Sequence, residues 1–378
     1  MKNILVLVFS NLKHDARVTR QIRWLKKNHS VTVMCFDGDP DPQVNLIKIN
    51  QTKLTPLRKL FLGVALILRQ FTWAYNIFHS YRPVEKILHQ QTFDIIIAND
   101  IDTLPLAFRL KKQTKIIFDA HEYAPRHFEN NKIWKIFFQP FYLYLCKTYI
   151  PRVDSMTTVG KGLANEYEKN FGITPIIITN ATRYHDIEPK RLKGDTIRLI
   201  HHGIANKSRR LELMIEMMAY LDDRFTLDLI LLTSDYASPQ TRVYIDALKQ
   251  KASENPKINI LPPVKSDYVV STINHYDIGV FLLPPINFNY ENTLPNKLFD
   301  FIQARLGIAI GPSVEMAAIV KHYNIGVVAS DFSPQSLAKS LNQLSTQDMD
   351  QFKINTIRAA NELNAENNEA VFNTLLDT

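Results

Sequence analysis

Disulfide-forming cysteine, long apolar runs and the common nucleotide or protease signatures are what this 378-residue sequence lacks. Its two cysteines, Cys35 in an apparent strand and Cys146 in an apolar helical stretch, give neither a disulfide framework nor metal-ligand spacing, so a reducing cytoplasm fits. The longest greasy stretch, Leu60 to Leu68, is about half the length a membrane-spanning helix needs. Met1 to Ser10 imitates a signal peptide, but its apolar run stops at Phe9 and Asn11 to Arg23 is polar, so it reads as a buried first strand. There is no Gly-x-Gly-x-x-Gly, Walker loop, Gly-x-Ser-x-Gly or His-Glu-x-x-His, which argues against a usual dinucleotide oxidoreductase, a P-loop NTPase, an α/β-hydrolase and a zinc protease. Low-complexity segments and short-period repeats are also missing.

What is present is a folding chain with 46% hydrophobic residues, long enough for about two or three domains. The formal charge of +8 and pI near 9.2 favour an anionic partner: nucleic acid, a membrane surface or a phosphorylated substrate. Apolar, β-branched runs alternate with helical patterns at Ile4–Phe9, Val31–Phe36, Asp94–Ala98, Lys115–Phe118, Ser155–Val159 and Pro175–Thr179. A second series follows at Ile197–His201, Leu227–Leu232, Ile258–Leu261, Ile278–Leu283, Ile308–Ile310 and Gly326–Val328. Near-continuous apolar strands separated by helices indicate parallel sheets covered on both faces. The expected architecture is therefore α/β, two doubly wound domains in tandem that meet near the polar stretch Asn180–Thr196. Ligands of such sheets sit at the carboxyl ends of strands, which singles out Asp100 and Asp102, Asp119–Tyr123, Gly203–Arg210 and Pro284–Lys297 around an expected cleft.

The segment Tyr290–Pro312 runs from a polar loop into a Pro-started helix and a short apolar strand. A helix start offers free N–H groups and a positive dipole end that together hold phosphate without a metal. With a helix over about Pro295–Ala304, Leu298, Phe301 and Ile302 share the buried side, and Asn296, Asp300 and Gln303 the opposite one. Asp300 then faces the cleft, where its carboxylate can accept from two sugar hydroxyls; the alternative is a solvated acid on an amphipathic helix. His121, just past a strand, can contact a substrate hydroxyl or phosphate, or serve as a structural histidine bonded to a carbonyl. In His201–Arg210, Gly203 permits a turn and Lys207, Arg209 and Arg210 can neutralise a diphosphate, against the plainer reading of a solvated loop. The adjacent histidines lack the accompanying ligands of a metal site, and the Asp-x-Asp matches at Asp37, Asp39 and Asp100 fall in a Pro-rich turn or at a strand end. Leu57–Phe78 and Lys132–Arg152 mix aromatics with cations; they read as membrane-interface segments favouring anionic lipid, the first being the better candidate, or as core helices with solvated ends.

In order along the chain, Asp15-Ala-Arg17-Val, Asp119-Ala-His-Glu-Tyr, Ile178-Thr-Asn-Ala, Gly203 to Glu212, Tyr276-Asp-Ile-Gly-Val-Phe-Leu-Leu-Pro and Leu294-Pro-Asn-Lys-Leu-Phe-Asp resemble a family 4 retaining glycosyltransferase of the two-Rossmann-domain GT-B class. The resemblance implies an N-terminal acceptor domain at 1–183, a linker at 184–196, a nucleotide-sugar domain at 197–355 and a C-terminal helix at 356–378 that crosses back to the first domain. It implies that His121 contacts the donor sugar or acceptor and that Arg209 or Arg210 supplies the cation over the diphosphate. Asp15, Arg17 and Glu122 would border the acceptor. Gly203, Lys207, Glu291, Asn292, Leu294, Pro295, Asn296, Lys297 and Asp300 would hold the donor, the Leu294–Lys297 backbone taking phosphate and Asp300 the ribose. Asn292 stands where the family commonly has an acid, Glu291 lies one position off, and Ile204 replaces a common arginine. The implied activity is transfer from a nucleotide sugar to a hydroxyl of a glycan, lipid-linked as in surface polysaccharide biosynthesis. It proceeds with retention, without metal or other cofactor, in the cytoplasm or peripherally on the inner face of the membrane. No nucleic-acid partner is expected. The rivals are a nucleotide-sugar epimerase on the same fold and a non-catalytic basic binding protein with a degenerate transferase fold.

Overall fold

A computed structural model describes residues 1–192, 194–233 and 238–377. Two compact units divide the chain, one comprising 1–179, 287–289 and the segment from Glu369 onward, the other 180–286 and 290–368. Lys193, inside the expected linker, lies outside the described residues.

The first unit is built on strands β1 (Asn3–Leu7), β2 (Ser30–Cys35), β3 (Val44–Lys48), β4 (Ile95–Asn99), β5 (Lys115–Ala120), β6 (Ser155–Thr158) and β7 (Ile176–Ile177), in the order β3-β2-β1-β4-β5-β6-β7. All its pairings are parallel, with Ile4 beside Val31 on one side and Ile95 on the other. Ile4 to Leu7 and Ile95 to Ala98 are buried throughout because helices cover both faces of the sheet, which is why these strands read as unbroken apolar runs. The sequence reading missed β3: it is an edge strand carrying Asn45 and Lys48, with no fully buried residue to give an apolar signature.

The second unit repeats the plan with β8 (Ile197–Ile204), β9 (Phe225–Leu232), β10 (Ile258–Leu261), β11 (Ile278–Phe281), β12 (Gly307–Ile310) and β13 (Gly326–Val328), ordered β10-β9-β8-β11-β12-β13 and again parallel. In both sheets the order reverses beside the first strand, the place where open α/β sheets bind ligands at their carboxyl ends.

Helix Asn296–Gln303 starts one residue later than expected, with Pro295 as its extended N-cap rather than its first residue. Leu298, Phe301 and Ile302 are buried as anticipated, but Gln303 is also buried. Its amide donates to the carbonyls of Ala360 and Leu363 at 3.0 and 3.2 Å and accepts from the N–H of His185 at 3.0 Å. Helix Thr346–Glu362 covers that side, so a single-stripe reading put Gln303 on an open face that does not exist. The same long helix, begun by a capping box at Ser345, sends Lys353 to Asp277 just before β11 at 2.8 Å, both side chains almost wholly buried.

Removing the ammonium as Lys353→Met leaves Asp277 buried with the Arg198 backbone N–H at 2.8 Å and, as its remaining cation, the Arg198 guanidinium at 3.4 Å. The expected loss is about 3 kcal/mol in a denaturant melt, partly recovered when Asp277→Asn is added.

Candidate functional site

Gly203 is the next-to-last residue of strand β8, and its φ of 131° lies in backbone territory that favours glycine. A β-carbon there would sit 3.2 Å from Lys297 Nζ and 3.9 Å from Arg209 Nη1, so strand end, ammonium and guanidinium share one spot. Lys297 comes from the first turn of the 296–303 helix and is buried; Arg209 closes the short turn Lys207–Arg209. Among the described residues, neither cation has a carboxylate at ion-pair distance.

Protein groups hold Lys297 in place without neutralising it. Its Nζ lies 3.1 Å from His201 Nε2 and 3.9 Å from the centre of the Phe281 ring. His201 Nδ1 is 2.9 Å from the carbonyl oxygen of Val280, so Nδ1 carries the proton and Nε2 presents a lone pair to the ammonium. Burial first, and then the Lys297 charge, hold His201 well below its ordinary titration range. Burial likewise drives Lys297 well below the usual lysine value, with Arg209 adding repulsion and Asp300 opposing it. His202 is lowered to about 3, chiefly by burial and then by Lys297. Its buried Nε2 has no hydrogen-bond partner and faces Asp300 Oδ2 at 3.5 Å.

The other donor-side residues divide by position. Arg210, in a left-handed conformation, turns to Glu212 at 3.5 Å, whereas Arg209 is the arginine at the Lys297 spot. Lys207, Glu291 and Asn296 are exposed, Asn292 and Leu294 are buried, and Pro295 is half-buried. The Leu294 carbonyl accepts from Asn180 Nδ2 at 3.0 Å, and Tyr290 and Ser208 hydroxyls meet at 2.7 Å, fixing the loops around Lys297.

The first unit has its own polar cluster at the end of β5. Asp119 is buried and accepts from Arg17 at 2.6 and 2.9 Å, Thr157 at 2.7 Å and Gln21 at 3.2 Å. Although burial opposes its charge, Arg17 and His121 hold the carboxyl far below the carboxylate range. Arg17, read as bordering the acceptor, is itself buried and also donates to the carbonyl of Ile178 at 2.6 Å. Asp15 caps helix Ala16–Leu25 through the N–H of Val18 and accepts from the Ser10 hydroxyl at 2.7 Å. His121 places Nδ1 3.3 Å from Asp100 Oδ2, and Nε2 3.3 Å from Asn99 Oδ1 and 3.5 Å from Asp119 Oδ2. Burial works against its proton, but Asp100 and Asp119 prevail and raise His121 to about 9, a cation at neutral pH. Asp100, at a φ of 62°, is the open member of this group; its side chain is 48% exposed. Glu122 points to His127 Nε2 at 2.7 Å.

The Asp-x-Asp acids are engaged elsewhere: Asp37 and Asp39 with Lys13, Asp37 also with Lys48, Asp41 with Lys26, and Asp102 with His79. Among the described residues no group of three or more His, Cys, Asp or Glu is arranged to hold a metal ion.

Residues 16–185 match the Glycosyltransferase Family 4 profile. The whole chain superposes on the Anabaena protein Alr3699/HepE, solved in complex with UDP and glucose, with a TM-score of 0.71 at 13% identity, covering 100% of both chains. Sucrose-phosphate synthase from Thermosynechococcus elongatus gives 0.72 at 12% identity over 100% of this chain and 98% of that one. An E. coli trehalose-6-phosphate protein bound with UDP-2-fluoro glucose gives 0.69 at 11% identity over 99% and 98%. The chain has the GT-B fold of these structures, and its residues 16–185 are similar to Glycosyltransferase Family 4. No curated protein sequence matches it.

Sequence reasoning named His121, Gly203, Arg209, Lys297 and Asp300 but not the Val280–His201–Lys297 chain of contacts. The paired histidines at the end of a strand were its only signal. It also left Asp100 without a role, since spacing cannot show that it is the open partner of a charged histidine.

Because His121 titrates higher in the folded protein than the ordinary 6.5, its contribution to stability is complete below about pH 6.5 and is lost as pH rises through about 9. The difference in melting temperature between wild type and His121→Asn is therefore expected to shrink steadily across that interval. A difference independent of pH would mean that His121 is uncharged in the fold.

Proposed function

We propose that this protein transfers a sugar from a UDP-type nucleotide donor to a hydroxyl of a glycan acceptor, carried on a lipid, with retention at the anomeric carbon and without a metal. The observation carrying this reading is the pair Lys297 and Arg209, two cations converging on Gly203 with no carboxylate of the described residues paired to either. A diphosphate supplies the missing negative charge. Support for the donor class comes from the similar folds, which were solved with UDP, glucose or UDP-2-fluoro glucose.

In the bond-breaking step the sugar's anomeric carbon loses the bond to the β-phosphate oxygen and gains one to the acceptor oxygen. Negative charge grows on the departing diphosphate, and fixed cations in a desolvated site stabilise that charge more in the transition state than in the ground state. The departing phosphate oxygen takes the acceptor proton on the same face, so no enzyme nucleophile is needed. Arg209 and Lys297, with the first amides of the 296–303 helix, supply the positive charge that a metal would otherwise bring. Asp300 accepts from the ribose hydroxyls. On the first unit, open Asp100, backed by cationic His121, offers an acceptor to sugar hydroxyls. With a nucleotide-sugar donor and a lipid-borne acceptor, the proposed place of work is the inner face of the membrane.

Binding of UDP or UDP-glucose, followed by calorimetry, tests the phosphate assignment. Arg209→Ala and Lys297→Met should each weaken it by about tenfold or more, as loss of a charge-assisted contact implies, while Arg210→Ala stays within about twofold. Since burial holds unliganded Lys297 below the usual lysine value and a diphosphate would raise it, affinity should fall as pH rises through the range in which the unliganded amine loses its proton. Equal affinities for Arg209→Ala and wild type would remove this reading. Formation of an epimerised nucleotide sugar without acceptor would replace transfer by epimerisation.

A further inference from the structure

Helix Pro56–Ile67 of the first unit is apolar on two sides. Leu62, Ala65 and Leu66 enter the core, whereas Leu57, Leu60, Phe61, Val64, Ile67 and Leu68 are between 37% and 64% exposed. Spaced by three and four residues, those six lie along one stripe, away from the buried one. Trp73 of helix Phe71–Phe78 extends the stripe, its ring 6.1 Å from that of Phe61. Solvated helices do not present such a face to water without a use for it.

Charge says what covers it. From Gln43 to Val84 the sequence contains no aspartate or glutamate but six cations: Lys48, Lys53, Arg58, Lys59, Arg69 and Arg82. This one segment carries +6 of the formal net charge of +8. Among the described residues only Lys48 has an ion-pair partner, Asp37 at 2.6 Å. Lys53, Lys59 and Arg69 are exposed around the apolar stripe. Twelve residues is too short to cross a bilayer, and no helix among the described residues is long and apolar enough to do so. An amphipathic element of this size, ringed by unpaired cations, suits the boundary between headgroups and acyl chains of an anionic bilayer.

We propose that the 56–67 helix, with Trp73, docks this protein on an anionic lipid bilayer, its exposed stripe entering the headgroup region and Lys53, Lys59 and Arg69 pairing with lipid phosphates. A second copy of the chain is disfavoured as occupant because two such faces would oppose like charges. The inference does not depend on the donor site.

Flotation of the full chain with vesicles tests it. Wild type should float with vesicles of about one-third phosphatidylglycerol and stay behind with pure phosphatidylcholine. Leu60→Gln/Ile67→Gln, and separately Lys53→Gln/Lys59→Gln/Arg69→Gln, should each weaken binding to anionic vesicles about tenfold or more. Circular dichroism and UDP binding should show both variants folded and competent. Wild type that ignores anionic vesicles overturns the proposal, as does binding that survives both sets of substitutions. Self-association abolished by the first variant, with no vesicle binding, would assign the face to a second copy and equally overturn it.

Discussion

A buried ammonium with no carboxylate of the described residues at ion-pair distance is the constraint around which the second unit's strand ends are arranged. Burying a charge is costly unless it is paired or coordinated, and Lys297 is buried among a histidine lone pair, an aromatic face and an arginine that repels it. Each neighbour then has limited freedom. His201 must keep its proton on Nδ1, because the opposite tautomer would place an N–H against Nζ and leave the Val280 carbonyl facing a lone pair. Position 203 must lack a side chain, because a β-carbon would press on Nζ and the backbone there has positive φ. Burial of this charge is costly, and in the proposed reading the donor diphosphate would offset that cost.

The first unit handles buried charge in the opposite way. Asp119 is surrounded by Arg17, Gln21, Thr157 and His121, so its charge is fully answered within the fold, and the cluster ties β5 to the helix Ala16–Leu25 and to Ile178. What it leaves outward is Asp100 at a positive φ, with cationic His121 behind it. One unit therefore presents positive charge, and the other a carboxylate backed by a cation. In the proposed reaction phosphate would be drawn to the former and hydroxyls to the latter.

Much of the fold was legible because buried parallel strands announce themselves: the twelve anticipated strands all occur, and only half-exposed β3 escaped. The helix carrying Lys297 and Asp300 was found within a residue at each end, since Leu298, Phe301 and Ile302 mark its inner stripe. Gln303 was misplaced because hydrophobic period reports one covering layer, and this helix has a second, supplied by Thr346–Glu362. The choice between Arg209 and Arg210 was equally out of reach. It depends on Arg210 adopting φ 49° and turning to Glu212, a matter of one backbone dihedral in a short turn.

The basic pI is a poor guide to the proposed donor site, for a reason the distribution of charge makes clear. Lys297 and Arg209 lie in a chain that, outside residues 43–84, carries only +2 formally, so their effect comes from burial and local lack of a counter-ion rather than from net charge. The excess sits on the first unit, around a helix whose outward stripe is as apolar as its inward one. Long-range attraction to an extended anionic surface scales with such accumulated exposed charge, whereas grip on a single diphosphate depends on two cations at short range in a low dielectric. Raising ionic strength should thus loosen the first interaction long before the second, because screening reaches exposed lysines and arginines and hardly touches a buried ammonium.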